Sequence, residues 1–154
     1  MVEELIGLNA TGLYKRLQTG FAIDPRALDD SRYLGTSLGL PAFVDRLTWK
    51  TFEKTFHRDA EVLRGWNVRL QQDTNEAMQV RGPGGRHVPK TFGHYRVHDE
   101  GARLLLDYGL LKDPLVALIE GDVQWLFGRT LVGPIPTPSY FVLQRRGPLA
   151  HIPT

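Results

Sequence analysis

The chain contains no cysteine. That excludes disulfide staples and thiolate metal sites, and it suits a reducing compartment. Long apolar runs are also missing: no stretch approaches the ~20 residues that a membrane-crossing helix needs. The opening MVEELIGLNATG carries two early acids and reads as neither a signal peptide nor a span. The expectation is a soluble, cytoplasmic protein. A strong charge imbalance is absent as well, with 19 Lys and Arg against 17 Asp and Glu, a net charge of +2. One segment is locally basic: Arg81, Arg86, Lys90 and Arg96 lie between Glu76 and Asp99 with no acid among them. A nucleic-acid partner would want a broader basic face with stacking aromatics, so this segment reads as a solvated loop and strand edge.

What is present is ordinary globular material. Of 154 residues, 42% are hydrophobic and 23% charged, enough for one domain with its own core. Residues 2–19 place Ile6, Ala10, Leu13, Tyr14 and Leu17 on one helical face, interrupted by Gly7 and Gly12 and stopped near Gly20. Asp24-Pro25 is a helix start with Asp as cap, opening a short turn through Leu28. DDSRYLGTSLGLP reads as a connector. Residues 41–57 give a helical pattern, with Phe43, Val44, Leu47, Phe52 and Phe56 largely on one side; the β-branched Thr48, Thr51 and Thr55 leave a strand reading open.

The rest of the chain reads as strands. Residues 62–72 alternate, with Trp66, Val68 and Leu70 on one face. Residues 73–89, DTNE followed by RGPGGRHVP, form a long polar hairpin loop. KTFGHYRVH resumes a strand. Four runs then fill 101–145, namely GARLLLDYG, LVALIEG, QWLFGRTLVG and PSYFVLQRR, separated by Gly, Pro, Asp and Lys. Several of these runs are apolar on both faces, Trp125 and Phe127 against Leu126 for instance, so each face must be covered. The fold class is therefore α+β: N-terminal helices packed on a curled antiparallel meander of about six strands, a partial or closed small barrel. The layout within one domain, 1–154, is mainly helical over 1–60, meander over 61–146 and a tail over 147–154.

Catalytic and metal motifs do not survive inspection. His57-Arg58-Asp59 spells a kinase tripeptide without the glycine-rich loop or DFG that complete such a site. Arg81-Gly-Pro-Gly-Gly-Arg86 lacks the P-loop Lys-Ser/Thr. His94 and His98, four apart on a strand, stand more than about 10 Å from each other, too far to share an ion easily. No metal and no cofactor is expected. Arg129 shares a strand face with Trp125, Phe127 and Leu131. At a strand end it reaches water or pairs with Glu120 or Asp107; buried, it needs an anion such as a ligand carboxylate. His94 and Asp107, on strands expected to be neighbours, are the pair that could serve proton transfer if the protein is an enzyme. Otherwise His94 is a satisfied structural histidine. The aromatics Trp66, Tyr95, Tyr108, Trp125, Phe127 and Tyr140 are core or the lining of a pocket.

With the meander, Gly65-Trp66 and the closing SYFVLQR, residues 62–146 resemble small ligand-binding β-barrels of the calycin type, the lipocalin-like and fatty-acid-binding-like proteins. Gly65-Trp66 is adjacent where lipocalins have Gly-x-Trp, and the leading helices depart from their order. The chain is similar in outline also to the cone-shaped family of nuclear transport factor 2 and polyketide cyclases. These resemblances imply a pocket for a small ligand; the residues themselves suggest an apolar or carboxylate-bearing molecule, with Trp66, Tyr95, Tyr108, Trp125, Phe127, Arg129 and Tyr140 as the lining. The alternatives are a cofactor-independent cyclase, isomerase or hydrolase using the same pocket, and a pocketless interaction module. A homodimer stays open.

Overall fold

The computed structural model describes residues 1–39 and 50–153. Its centre is a closed antiparallel barrel of eight strands: β1 (Ser31–Leu38), β2 (Thr51–Asp59), β3 (Val62–Arg69), β6 (Thr91–Asp99), β7 (Leu104–Asp107), β8 (Leu111–Ile119), β9 (Asp122–Val132) and β10 (Ile135–Pro148). Each of these eight pairs with the next of the eight along the chain, and β1 pairs with β10 to close the ring. A short hairpin, β4 (Gln79–Arg81) and β5 (His87–Pro89), is inserted between β3 and β6. It lies in the segment read as a hairpin loop.

The six strands expected after residue 61 are present, and the structure adds two more to the barrel. Ser31–Leu38, read as a connector, is β1. Residues 51–57, read as the end of a helix, belong to β2; the first part of that helix, with Phe43, Val44 and Leu47, lies outside the described residues. The reason for the misreading is parity. Phe52 and Phe56 are four apart, an even spacing that puts them on one side of a helix and equally on one face of a strand. In the strand, Phe52, Lys54 and Phe56 share a face, and Thr51 and Thr55, which weakened the helical reading, fit the pleat. β1 escaped detection because its inward positions include Gly35 and Ser37. Gly35 is required there: a Cβ would come within 2.4 Å of the Phe52 ring. So the described residues before 61 are only partly helical, and the architecture is mostly barrel.

One buried cluster draws on all eight barrel strands: Tyr33, Phe56, Leu63, Tyr95, Leu104, Leu106, Leu115, Leu126, Phe141 and Leu143 pack together, and this is the barrel interior. Ile23 and Leu28 join it. They come from the segment before β1, where Asp24 caps a 3-10 turn at Pro25–Leu28 as its sequence implies. They meet the barrel at the end where β1 begins.

The outer wall is apolar where helices cover it. The expected N-terminal helix is two, α1 (Val2–Ile6) and α2 (Ala10–Gln18), broken after Gly7 and restarted by Asn9, whose side chain accepts from the Gly12 N–H at 2.9 Å. Leu5 and Leu13 are buried against Leu38, Val116, Phe127, Tyr140 and Val142. Ile6 and Tyr14 face outward. A smaller outer cluster, Trp66, Val68 and Leu70, is covered by Ala77 and Leu149.

Candidate functional site

The end of the barrel opposite Leu28 holds a cavity of about 320 Å³. Its lining comes from strand ends that alternation points inward: Ser37 of β1, Phe52 and Lys54 of β2, Asn67 of β3, Asp113 of β8, Thr130 of β9, and Ser139 and Phe141 of β10. Phe92, Gly93, Tyr108 and Leu111 complete it. The walls are largely apolar. Four polar groups converge among them.

Lys54 is the centre of that polar group. It is 2% exposed, Asp113 3% and Asn67 5%. The Lys54 ammonium donates to Asn67 Oδ1 at 2.9 Å and makes a short hydrogen bond to Tyr108 Oη. Tyr108 Oη donates to Asp113 Oδ2 at 3.0 Å, and Lys54 Nζ stands 3.5 Å from the same carboxylate oxygen. Asn67 is fixed in turn by donating from Nδ2 to the Gly93 carbonyl at 3.1 Å. Gly93 has φ +58°, and a Cβ there would fall 2.7 Å from Asn67 Nδ2, so only glycine brings that carbonyl so close. Rings surround the ammonium: its nitrogen lies 5.0–5.6 Å from the centroids of Tyr95, Tyr108, Phe141 and Phe52.

The electrostatics follow from burial. Desolvation pulls the Lys54 ammonium below the ordinary lysine value, and the Asp113 charge works against that. Burial pushes the Tyr95 and Tyr108 phenols well up, and the Asp113 charge adds to both shifts. Both tyrosines are thus fixed as neutral hydroxyls at neutral pH. The Tyr95 hydroxyl donates to the Thr55 carbonyl, which ties β6 to β2 directly beneath Lys54.

The residues singled out from the sequence divide three ways. Tyr108 lines the cavity, Tyr140 borders it and Tyr95 supports it from below. Trp66, Trp125, Phe127 and Arg129 belong to the outer wall. Trp66 lies under Leu149, and Phe127 and Trp125 under the helices. Arg129 donates to the Thr137 carbonyl at 2.7 Å and lies over the Tyr140 ring at 4.8 Å and the Tyr14 ring at 5.8 Å. Its partners are therefore a carbonyl and two rings rather than Glu120 or Asp107. His94 is exposed beside Trp66. Asp107 faces outward with it, but its hydrogen bonds go to His98 at 3.1 Å, to Lys112 at 3.0 Å and to the Gly109 N–H at 2.8 Å. His94 and Asp107 thus share no hydrogen bond, but both border one outer depression with Arg64 and Arg96.

Sequence reasoning missed Lys54, Asn67 and Asp113. A helical reading of 41–57 places Lys54 off the apolar side, where a lysine draws no notice. A strand reading of 51–59 would have put it between Phe52 and Phe56, a cation on an apolar face. Asp113 had a weaker signal, an acid directly before the apolar run PLVALI.

Among the described residues no helix is long and apolar enough to cross a membrane, and no cluster of His, Asp and Glu is arranged to hold a metal ion. Comparison with family models, curated proteins and solved structures finds no match. The closed eight-stranded antiparallel barrel is consistent with a small calycin-like barrel.

Proposed function

We propose that this protein binds a small apolar or amphipathic molecule in the cavity at the Lys54 end of the barrel. One observation carries the reading: an apolar cavity on a closed barrel, with a few buried polar groups converging at one place in its lining. Barrels of this strand number have room for one small ligand. At about 30 Å³ per non-hydrogen atom, the share of a water in the liquid, 320 Å³ accommodates roughly ten such atoms. The ligand's apolar part lies against Phe52, Phe92, Leu111 and Phe141, and its polar end meets Lys54, Asn67 and Tyr108. The charges of Lys54 and Asp113 already balance, so the reading favours a neutral polar end over a carboxylate, which would bring an uncompensated charge into the cavity. Arg129 takes no part. The cytoplasmic setting expected from the lack of cysteine is kept.

The test is displacement of an environment-sensitive apolar dye, with native mass spectrometry of the purified protein. Thr130→Phe and Ser139→Phe fill the cavity from two separate strands. Dye affinity should fall by about tenfold or more in each, the cost of losing ~1.4 kcal/mol of burial, with melting temperatures close to wild type. Undiminished dye binding in both variants refutes the site.

A further inference from the structure

We propose that Lys54 is a reactive amine that forms an imine with a neutral, carbonyl-bearing ligand in the barrel cavity. This rests on the binding reading above and names the chemical class of the ligand.

Three observations point to it. Lys54 lines the cavity, yet it is 2% exposed, so it is shielded from bulk water while next to the space a ligand would fill. Rings that line the same cavity surround its nitrogen, an apolar setting that makes a lysine nucleophilic at neutral pH. Finally, the groups that proton traffic requires are in place. Tyr108 Oη is hydrogen-bonded to Lys54 Nζ and donates to Asp113 Oδ2 at 3.0 Å, giving a relay from nitrogen to carboxylate. Burial, which pulls Lys54 below the ordinary lysine value, favours releasing the proton.

The step balances within the site. Lys54 passes a proton through Tyr108 to Asp113, and the freed nitrogen lone pair attacks the carbonyl carbon. A C–N bond forms, and the carbonyl π pair moves to oxygen. That oxygen takes up two protons, one returned by Asp113 and one from nitrogen, and leaves as water when the C–O bond breaks. The sum is an ammonium plus a carbonyl giving an iminium plus water. One positive charge is present before and after, so Asp113 balances the product as it balances the free lysine. A carboxylate ligand would not preserve this balance; a neutral aldehyde or ketone with an apolar arm does. Asn67 Oδ1 and the fixed hydroxyl of Tyr108 orient the nitrogen throughout.

Hydrocinnamaldehyde, an apolar aldehyde of suitable size, and hydrocinnamyl alcohol, which cannot form an imine, separate this proposal from the binding reading. Wild-type protein is incubated with the aldehyde and cyanoborohydride, and labelled lysines are mapped by peptide mass spectrometry. Alcohol binding is followed by NMR shifts of the cavity residues. The expected result is alcohol binding at the cavity and reductive labelling of Lys54 at least about tenfold above the surface amines of Lys15, Lys50, Lys90 and Lys112. Wild type should also bind the aldehyde more tightly than the alcohol, and this preference should vanish in Lys54→Met/Asp113→Leu, where both charges are removed together. Alcohol binding with Lys54 labelled no faster than the surface lysines overturns the imine and leaves the binding reading standing. Failure of both ligands to perturb the cavity overturns both.

Discussion

The pair at the heart of the cavity can be weighed by breaking it. Lys54 and Asp113 are almost wholly excluded from solvent, and their attachment is shared with Tyr108 and Asn67. Asp113→Leu leaves the ammonium with Asn67 and Tyr108 as partners but no countercharge, and the Tyr108 hydroxyl loses its acceptor. Removing one partner of a buried pair costs ~3–5 kcal/mol, because the charge left behind is uncompensated. For a domain of this size that lowers the melting temperature by roughly 6–20 °C. Lys54→Met strands the carboxylate and should cost a similar amount. The double variant removes both charges, and its stability should return to wild type or exceed it by up to ~4 kcal/mol. The assay is urea unfolding of the four proteins as a double-mutant cycle at neutral pH. A coupling below about 0.5 kcal/mol, with each single variant close to wild type, would mean that the two groups act independently. In that case the argument from a charge-balanced cavity fails, and with it the preference for a neutral ligand.

Other perturbations test the barrel itself. Gly35→Ala places a methyl 2.4 Å from the Phe52 ring, and overpacking of this kind should cost ~1–3 kcal/mol in urea unfolding; no loss would mean that β1 and β2 do not approach as described. Phe56→Ala, in the barrel interior, should cost ~3–5 kcal/mol, whereas an unchanged midpoint would remove Phe56 from the core. In a spectrophotometric titration the phenols of Tyr33, Tyr95 and Tyr108 should ionise late, Tyr33 near about 12. Their folded values lie above the unfolded one, so the stability they contribute is complete below about pH 10 and is lost as pH rises beyond it; all tyrosines ionising together near pH 10 in folded protein would contradict the burial. The Gly109 N–H and Lys112 hold the Asp107 carboxyl down at about 2. Its contribution to stability is thus present above about pH 4 and fades as pH falls towards 2, and a carboxyl midpoint near 4 by NMR would contradict those hydrogen bonds.

The meander was legible because its strands repeat a period of two between glycine-containing turns. The apolar character of both faces was legible too, and it carried a structural message. Phe127 and Trp125 meet the helices while Leu126 fills the barrel, and likewise Leu104 and Leu106 point in while Leu105 points out. What alternation cannot do is say which apolar face encloses the cavity. Trp125, Phe127 and Arg129 do share a face, but it is the outer one, where the helices supply the cover that a ligand was expected to supply. The barrel's closure was hidden for a related reason. β1 and β2 complete the ring, yet one is weakened as a signal by Gly35 and Ser37, and the other carries an even spacing of phenylalanines common to helix and strand.

The same ambiguity concealed the polar site, and its location has a physical logic. Near Leu28 the barrel interior is filled by side chains from every strand, with the Tyr33 hydroxyl donating to the Val123 carbonyl at 2.7 Å and the Ser31 hydroxyl to the Leu28 carbonyl at 2.6 Å. Toward the other end the interior changes character within one strand, from Phe56 to Lys54, two residues along β2. A lysine costs far more to bury than a leucine in that position, and an apolar core needs neither Lys54 nor Asp113. Replacing both with apolar side chains of similar size would remove the cost of burying two charges. The chain instead keeps a cation, its countercharge, a phenol and an amide, each with a hydrogen-bond partner, next to a space of about 320 Å³. That combination gains little for stability. In the proposed role it supplies a preorganised set of donors and a proton relay at one end of a largely apolar hollow, which is what recognition of a small carbonyl compound requires.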